Sequence, residues 1–568
     1  MPQRVSRGFV QTGERLVHYR RAGSGPPVVL LHDSPRSSVL HLPLLAEFSD
    51  AFTVFALDTP GYGQSDPLPA SPRPEIDDFG DALAAALLAL GLERPVVYAY
   101  HTSSKIALSC ALRHSRSIGQ LVIDGLSLPQ DDVPTEFIDA YMSPFDVDPE
   151  GAYISRQWTK IRDLHRFFPW FDRQAAKRIP MDEPPPVALH AYAMDLFMAG
   201  ENYSSAYSAA MRYRALRVLR GLSTPTTFMA REDDVLYPYL EVVEACRPSC
   251  ASVERLPSDH GAWRRRLREI FSSGTASVAS EPQDGRRRAM RRDYQAHGHG
   301  QLQLRRHGDG PGAVIVLHDP PGSALDIESV AAGLRGWRVV APDLPGCGLS
   351  DPLGQSAGCA DYGRVLLDMA DAEGLDEFAL IATGLSVPFA LHAAATAPSR
   401  VNLLVLDGMP VLEPARRRDI SARYAPEIRP TRDGSHFLAT WHRLRDEQLQ
   451  WPWYDGSSGA ARRIEPDLDG QRLHQRMVAT LQQPDAYGQA CRAALSADLV
   501  ELAARVRAPL FILDAPGDPR YEGVAAIARS AAAGQVVARP HSLEARGELL
   551  QQLLSVSGPG SRPPRQPP

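Results

Sequence analysis

The amino-acid sequence predicts an α/β protein built from two tandem copies of one domain, each a mostly parallel sheet flanked by helices with an inserted helical segment. Three observations predict it. Short β-branched runs alternate with helical stretches. The whole pattern occurs twice, at an offset of about 285 residues. In each copy the strand pattern stops in the same place and a helical, aromatic-rich stretch intervenes, from about 128 to 222 and from about 410 to 505.

The duplication is explicit. "VVLLHDSP" at 28–35 returns as "VIVLHDPP" at 314–321, and "FALDTPGYGQSDPL" at 55–68 returns as "VAPDLPGCGLSDPL" at 340–353. "LVIDG" at 121–125 matches "LVLDG" at 404–408. Trp158, Arg162, Asp163, Pro169, Trp170 and Asp172 recur in the same spacing as Trp441, Arg445, Asp446, Pro452, Trp453 and Asp455. So many agreements in order mean a duplicated domain rather than a solenoid.

In the first copy the strands read in order as "PVVLLH", "FTVFALD", "PVVYAYH", "GQLVIDG", "PTTFMA" and "ASVERLP". Between the second and third, Ile76, Phe79, Leu83 and Leu87 fall at helical spacing and give one apolar face for the sheet. The domains are expected at 1–272 and 293–556. The small, polar and then arginine-rich stretch 273–292 reads as a linker, and 557–568, rich in proline and glycine, as a disordered tail.

A formal net charge of −6, with 23% charged and 44% hydrophobic residues, is an ordinary globular balance that points to neither nucleic acid nor membrane as a partner. The six cysteines form no paired ligand cluster, so structural zinc and a disulfide framework are both unsupported. No stretch of eighteen apolar residues and no N-terminal apolar segment occurs, so a cytoplasmic protein is expected. The glycine turns "GYGQS" and "GCGLS" lack the lysine and surroundings of a phosphate loop. No cofactor or metal is expected. The expected partner is a small-molecule substrate, and the oligomeric state is open.

"VVYAYHTSSKIAL", residues 96–108, reads as a buried strand turning sharply into a helix, with His101 at the bend. Together with "LLHDSP", "LDTPGYGQSDP", the helical insertion, "REDDVLYP" and "LPSDHGAW", this order resembles the α/β-hydrolase superfamily with a cap domain, over nearly the whole chain twice. The resemblance implies a nucleophile at the elbow, an acid after a late strand, a histidine after the last strand, and an oxyanion hole of two backbone N–H groups. Carried over residue by residue, it puts the acid at Asp234 and the base at His260. The oxyanion donors become the N–H groups of Ser34 and Thr102, with Asp33 standing where the family more often has glycine. His101 takes the nucleophile position, with Ala99 and Ser103 at the two positions that need small side chains. A register slipped by two would make Ser103 the nucleophile, and Asp124, ending its strand, is an alternative acid. Trp158 and Trp170 are expected to pack cap helices together rather than line a pocket.

Imidazole titrates near neutral pH, so a histidine at the elbow can take a proton, give one or attack a carbonyl. The expected site is His101 facing His260, with Asp234 holding the tautomer of His260. Such a site suits hydrolysis of an ester-like carbonyl compound, or a cofactor-free elimination or decarboxylation. In the second copy Gly384 occupies the nucleophile position and Pro320, which has no N–H, replaces Ser34, although Asp518 and His541 persist. That copy is expected to be a pseudo-domain. An open pocket at Gly384 that admits a larger ligand is the rival expectation. For the whole protein, the alternative to an enzyme is a non-catalytic ligand-binding protein with both sites degenerate.

Overall fold

The computed structural model describes residues 4–274, 276 and 291–556. Most of the expected linker and the whole of the expected tail lie outside these residues. The described residues divide into two compact units, those within 1–146 and 156–286, and those within 147–155 and 287–568. The short segment 147–155, from the helical insertion of the first copy, thus belongs with the second unit.

The first unit holds eight strands: β1 (Ser6–Thr12), β2 (Arg15–Ala22), β3 (Pro27–Leu31), β4 (Thr53–Leu57), β5 (Val96–Tyr100), β6 (Gln120–Asp124), β7 (Thr226–Arg231) and β8 (Ala251–Leu256). They form one sheet in the order β1-β2-β4-β3-β5-β6-β7-β8. The hairpin β1–β2 and its junction with β4 are antiparallel, and every other pairing is parallel. The second unit repeats this order strand for strand with β9 (Arg292–His297), β10 (Gly300–His307), β11 (Gly312–Leu317), β12 (Trp337–Pro342), β13 (Phe378–Thr383), β14 (Val401–Asp407), β15 (Leu510–Asp514) and β16 (Gly534–Ala538).

The central strands are mostly apolar because helices cover both faces of a parallel sheet; β3 and β4 are buried at every residue. The helix Ile76–Ala89 buries Ile76, Phe79, Leu83 and Leu87 on one face, and Asp78 closes its N-terminus by accepting the Glu75 N–H at 2.8 Å. On one face of the first sheet, Phe48, Phe52, Trp263, Leu267 and Phe271 pack over β3, β4 and β5.

Between β6 and β7 the first copy carries the helices Thr135–Tyr141, Ala152–Leu164, Pro186–Ala199 and Tyr203–Arg212. The second carries Pro414–Arg423, Ser435–Leu449, Gly470–Leu481 and Gly488–Leu495 between β14 and β15. The repeated tryptophans bind these helices together. Trp170 donates its indole N–H to the Tyr141 carbonyl at 2.9 Å, and Trp453 makes the same bond to Tyr424. Trp158 and Trp441 are both buried.

Candidate active site

The elbow of the first unit is a true reversal. After the buried run of β5, His101 adopts φ 49° and ψ −109°, and the helix Thr102–Arg113 begins at the next residue. A non-glycine residue in this conformation costs on the order of 1–3 kcal/mol unless its surroundings hold it. They do so here. The His101 N–H donates to the Asp124 carbonyl at 3.1 Å, and the Tyr100 N–H donates to Ser103 Oγ at 2.9 Å. Ser103 is fully buried, with its hydroxyl 3.0 Å from both the Leu31 and the Tyr100 carbonyls. The apex is therefore His101, and Ser103 is its buttress.

The imidazole lies within a set of carboxyls. His101 Nε2 is 2.8 Å from Asp234 Oδ2, with the acid side chain almost fully buried and the ring about a quarter exposed. The Tyr100 ring stacks on the imidazole at 4.0 Å. Gly125 makes room for it, since a Cβ there would sit 2.6 Å from His101 Cδ2. Burial alone would lower the His101 pKa, but it is raised above the usual 6.5, and the hydrogen bond and charge of Asp234 are the largest contributions against burial. The same contact holds Asp234 below its ordinary value against the opposing effect of burial. In the neutral ring, with Nε2 bonded to a carboxylate, Nδ1 carries the lone pair, and it has no hydrogen-bond partner among the described residues.

His260 sits elsewhere. Asp259 caps the following helix by accepting the Gly261 and Ala262 N–H groups, which starts that helix at an exposed His260. The Asp234 carboxylate expected to hold His260 is instead bonded to His101. Asp124, the alternative acid, accepts the Tyr98 hydroxyl and the Trp263 indole N–H, both at 2.8 Å. Burial pushes its pKa up to about 6. Thr102 opens the elbow helix, and Ser34 is buried in the loop after β3.

The insertion is tied to that loop by side chains with no recognisable motif. Asp195, from the helix Pro186–Ala199, accepts Arg36 Nε at 2.8 Å and the Ser37 hydroxyl at 2.6 Å. Arg36 lies over the Tyr192 ring, and the Tyr62 hydroxyl donates to the Tyr203 carbonyl at 2.7 Å.

The second unit fills the same site with its own side chains. Gly384 sits at the elbow with φ 58°, and a Cβ there would lie 2.2 Å from both Arg520 Nη2 and Asp319 Cγ. The Leu385 N–H, counterpart of Thr102, donates to Asp319 Oδ1 at 2.8 Å. Asp518 accepts Arg462 Nε at 3.3 Å, and His541 is exposed. The elbow volume is therefore occupied, which corrects the expectation of an open pocket at Gly384. The signal was present in the alignment of the copies, where Arg520 stands opposite Leu236.

The family model of the alpha/beta hydrolase fold matches residues 26–262 and again residues 312–490, more than half of the chain. The chain belongs to the α/β-hydrolase family. Among curated relatives, the chain is 30% identical over 129 residues to an (E)-2-((N-methylformamido)methylene)succinate hydrolase of Acinetobacter baylyi, covering 23% of this chain and 42% of that protein. It is 25% identical over 117 residues to a 2-(acetamidomethylene)succinate hydrolase of Mesorhizobium japonicum, covering 20% and 40%. This α/β-hydrolase thus spans less than half the length of these relatives. Among solved structures, an epoxide hydrolase from Vigna radiata aligns at 15% identity with a TM-score of 0.38, covering 47% of this chain and 95% of its own. Among the described residues no helix is long and apolar enough to cross a membrane.

Proposed function

We propose that the first unit is a hydrolase site in which His101, oriented by Asp234, acts as a general base on water that attacks a small ester-like carbonyl substrate. The observation that carries this reading is the 2.8 Å bond from His101 Nε2 to Asp234 at the elbow apex. It fixes the tautomer and leaves Nδ1 to take a proton. In the usual triad the acid orients a histidine that activates a separate nucleophile. Here the acid reaches the elbow residue itself, so the histidine and the nucleophile position have merged and water supplies the oxygen. The Thr102 N–H, at the start of the elbow helix, would stabilise the developing oxyanion. The curated relatives are named as hydrolases, which supports hydrolysis over elimination or decarboxylation. Arg520 and Asp319 occupy the elbow of the second unit, and we assign that unit no catalytic step.

The test is turnover of a panel of p-nitrophenyl esters by wild type, His101→Gln, His260→Ala and Gly384→Ser. Loss of a positioned general base costs about 10²–10⁴-fold. That loss is expected for His101→Gln, with the other two close to wild type. Equal turnover by wild type and His101→Gln would leave a non-catalytic binding protein as the reading.

A further inference from the structure

We propose that Asp33 is the acid of this site: its carboxyl group donates a proton to the substrate carbonyl oxygen while His101 takes one from water. This rests on the reading of His101 as the base.

The argument starts from a buried oxygen. Asp33 Oδ1 is shielded from solvent and has no hydrogen-bond partner among the described residues. An unsatisfied buried acceptor is costly for a carboxylate, and far less so once the group carries its own proton. Arg36, the cation that acts on it most strongly, is bonded to Asp195.

The second unit shows how far a carboxyl at this loop position reaches. Asp319, aligned with Asp33, accepts both the Leu385 N–H at 2.8 Å and Arg520 Nη2 at 2.6 Å. It stands where an oxyanion would stand in a working member of the fold, and an arginine neutralises it. In the first unit Leu236 replaces that arginine, and Asp33 Oδ1 accepts no bond from the Thr102 N–H. The backbone donor is thus left for substrate, and the carboxyl of the loop after β3 lacks the arginine that bonds its counterpart.

A carboxylate anion at that point would repel a developing oxyanion, whereas a carboxylic acid would protonate it. Burial raises the Asp33 pKa, opposed by Arg36, His101, His32 and the residue's own backbone N–H. The other titratable groups that face it are the hydroxyls of Tyr100, Tyr192 and Tyr207, from β5 and the insertion, and Tyr62 from the turn after β4.

The step balances. His101 Nδ1 removes a proton from water as the oxygen bonds to the carbonyl carbon. The carbonyl π pair moves to its oxygen, which takes the Asp33 proton. On collapse that O–H returns its proton to Asp33 as C=O re-forms, and His101 gives its proton to the departing group. The sum is acyl compound plus water to acid plus leaving-group alcohol or amine.

The experiment compares wild type, Asp33→Ala, Asp33→Asn and His101→Gln on p-nitrophenyl acetate and on acetanilide across pH, and records the infrared carboxyl C=O band of wild type minus Asp33→Asn at neutral pH. Expected are a fall in kcat of about 100-fold for Asp33→Ala with KM little changed, and partial recovery in Asp33→Asn, whose amide still donates. That variant should lose the alkaline limb of the profile, and the difference spectrum should carry a protonated-carboxyl band. A wild-type kcat in Asp33→Ala, or absence of that band, overturns the proposal while an inactive His101→Gln leaves the base standing. Activity in His101→Gln equal to wild type, or no turnover by wild type, overturns both.

Discussion

Arg520 Nη2 lies 2.6 Å from Asp319 Oδ2, and the pair fills the volume that a side chain on Gly384 would need. Gly384→Ala should therefore strain the backbone at positive φ and crowd the ion pair, destabilising the second unit by about 2–4 kcal/mol. Adding Arg520→Leu should relieve the crowding only in the Gly384→Ala background, a non-additivity that chemical denaturation of the four variants would measure.

The His101–Asp234 pair sets a pH window. The His101 pKa lies above 6.5 in the folded protein, so its contribution is complete below 6.5 and is lost as pH rises through the folded value. The Asp234 pKa lies below 3.8, so its contribution is complete above 3.8 and is lost as pH falls through the folded value. The difference in denaturation midpoint between wild type and Asp234→Asn should be widest between pH 3.8 and 6.5. Base catalysis needs neutral His101, so kcat should rise with pH through a midpoint above 6.5, and that midpoint should move down in Asp234→Asn.

Ser103→Ala separates buttress from nucleophile. The hydroxyl accepts the Tyr100 N–H and is fully buried, so its loss should cost about 1–2 kcal/mol of stability. His101-dependent turnover should persist at a temperature where the variant is folded. Complete inactivity with an intact near-ultraviolet spectrum would return the nucleophile to Ser103.

Asp195→Ala removes the acceptor of both Arg36 and Ser37 and strands a half-buried guanidinium, a change that should cost about 2–3 kcal/mol, less than the loss of one partner of a fully buried pair. Hydrogen exchange should accelerate across Pro186–Ala199 and the loop after β3, with β5 and β6 still protected.

The repeat makes the architecture legible from residues alone, because central parallel strands must be continuously apolar and each signature is read twice. The hairpin β1–β2 is not legible that way. Its strands mix arginine, glutamine and histidine with apolar residues in no regular period, and only pairing with β4 makes them part of the sheet. At the site, the bend at His101 follows from a strand running directly into a helix, and Asp234 follows from its place after β7. The exposure of His260 does not, since it depends on where Asp259 starts the helix His260–Ser272. Arg36, Tyr192 and Asp195 carry no sequence signal either, because they come together only when the insertion folds back over the loop.

The hydroxyl that buttresses the first elbow has a twin. Ser386 accepts the Thr383 N–H at 3.0 Å and donates to the Thr383 carbonyl at 2.8 Å, as Ser103 serves Tyr100. The hairpin bend is thus pinned from two positions downstream, whichever residue crowns it. Imidazole on one crest and bare backbone on the other are alternative fittings on a common mount, so mutation can rewrite the reagent without rebuilding the frame that displays it.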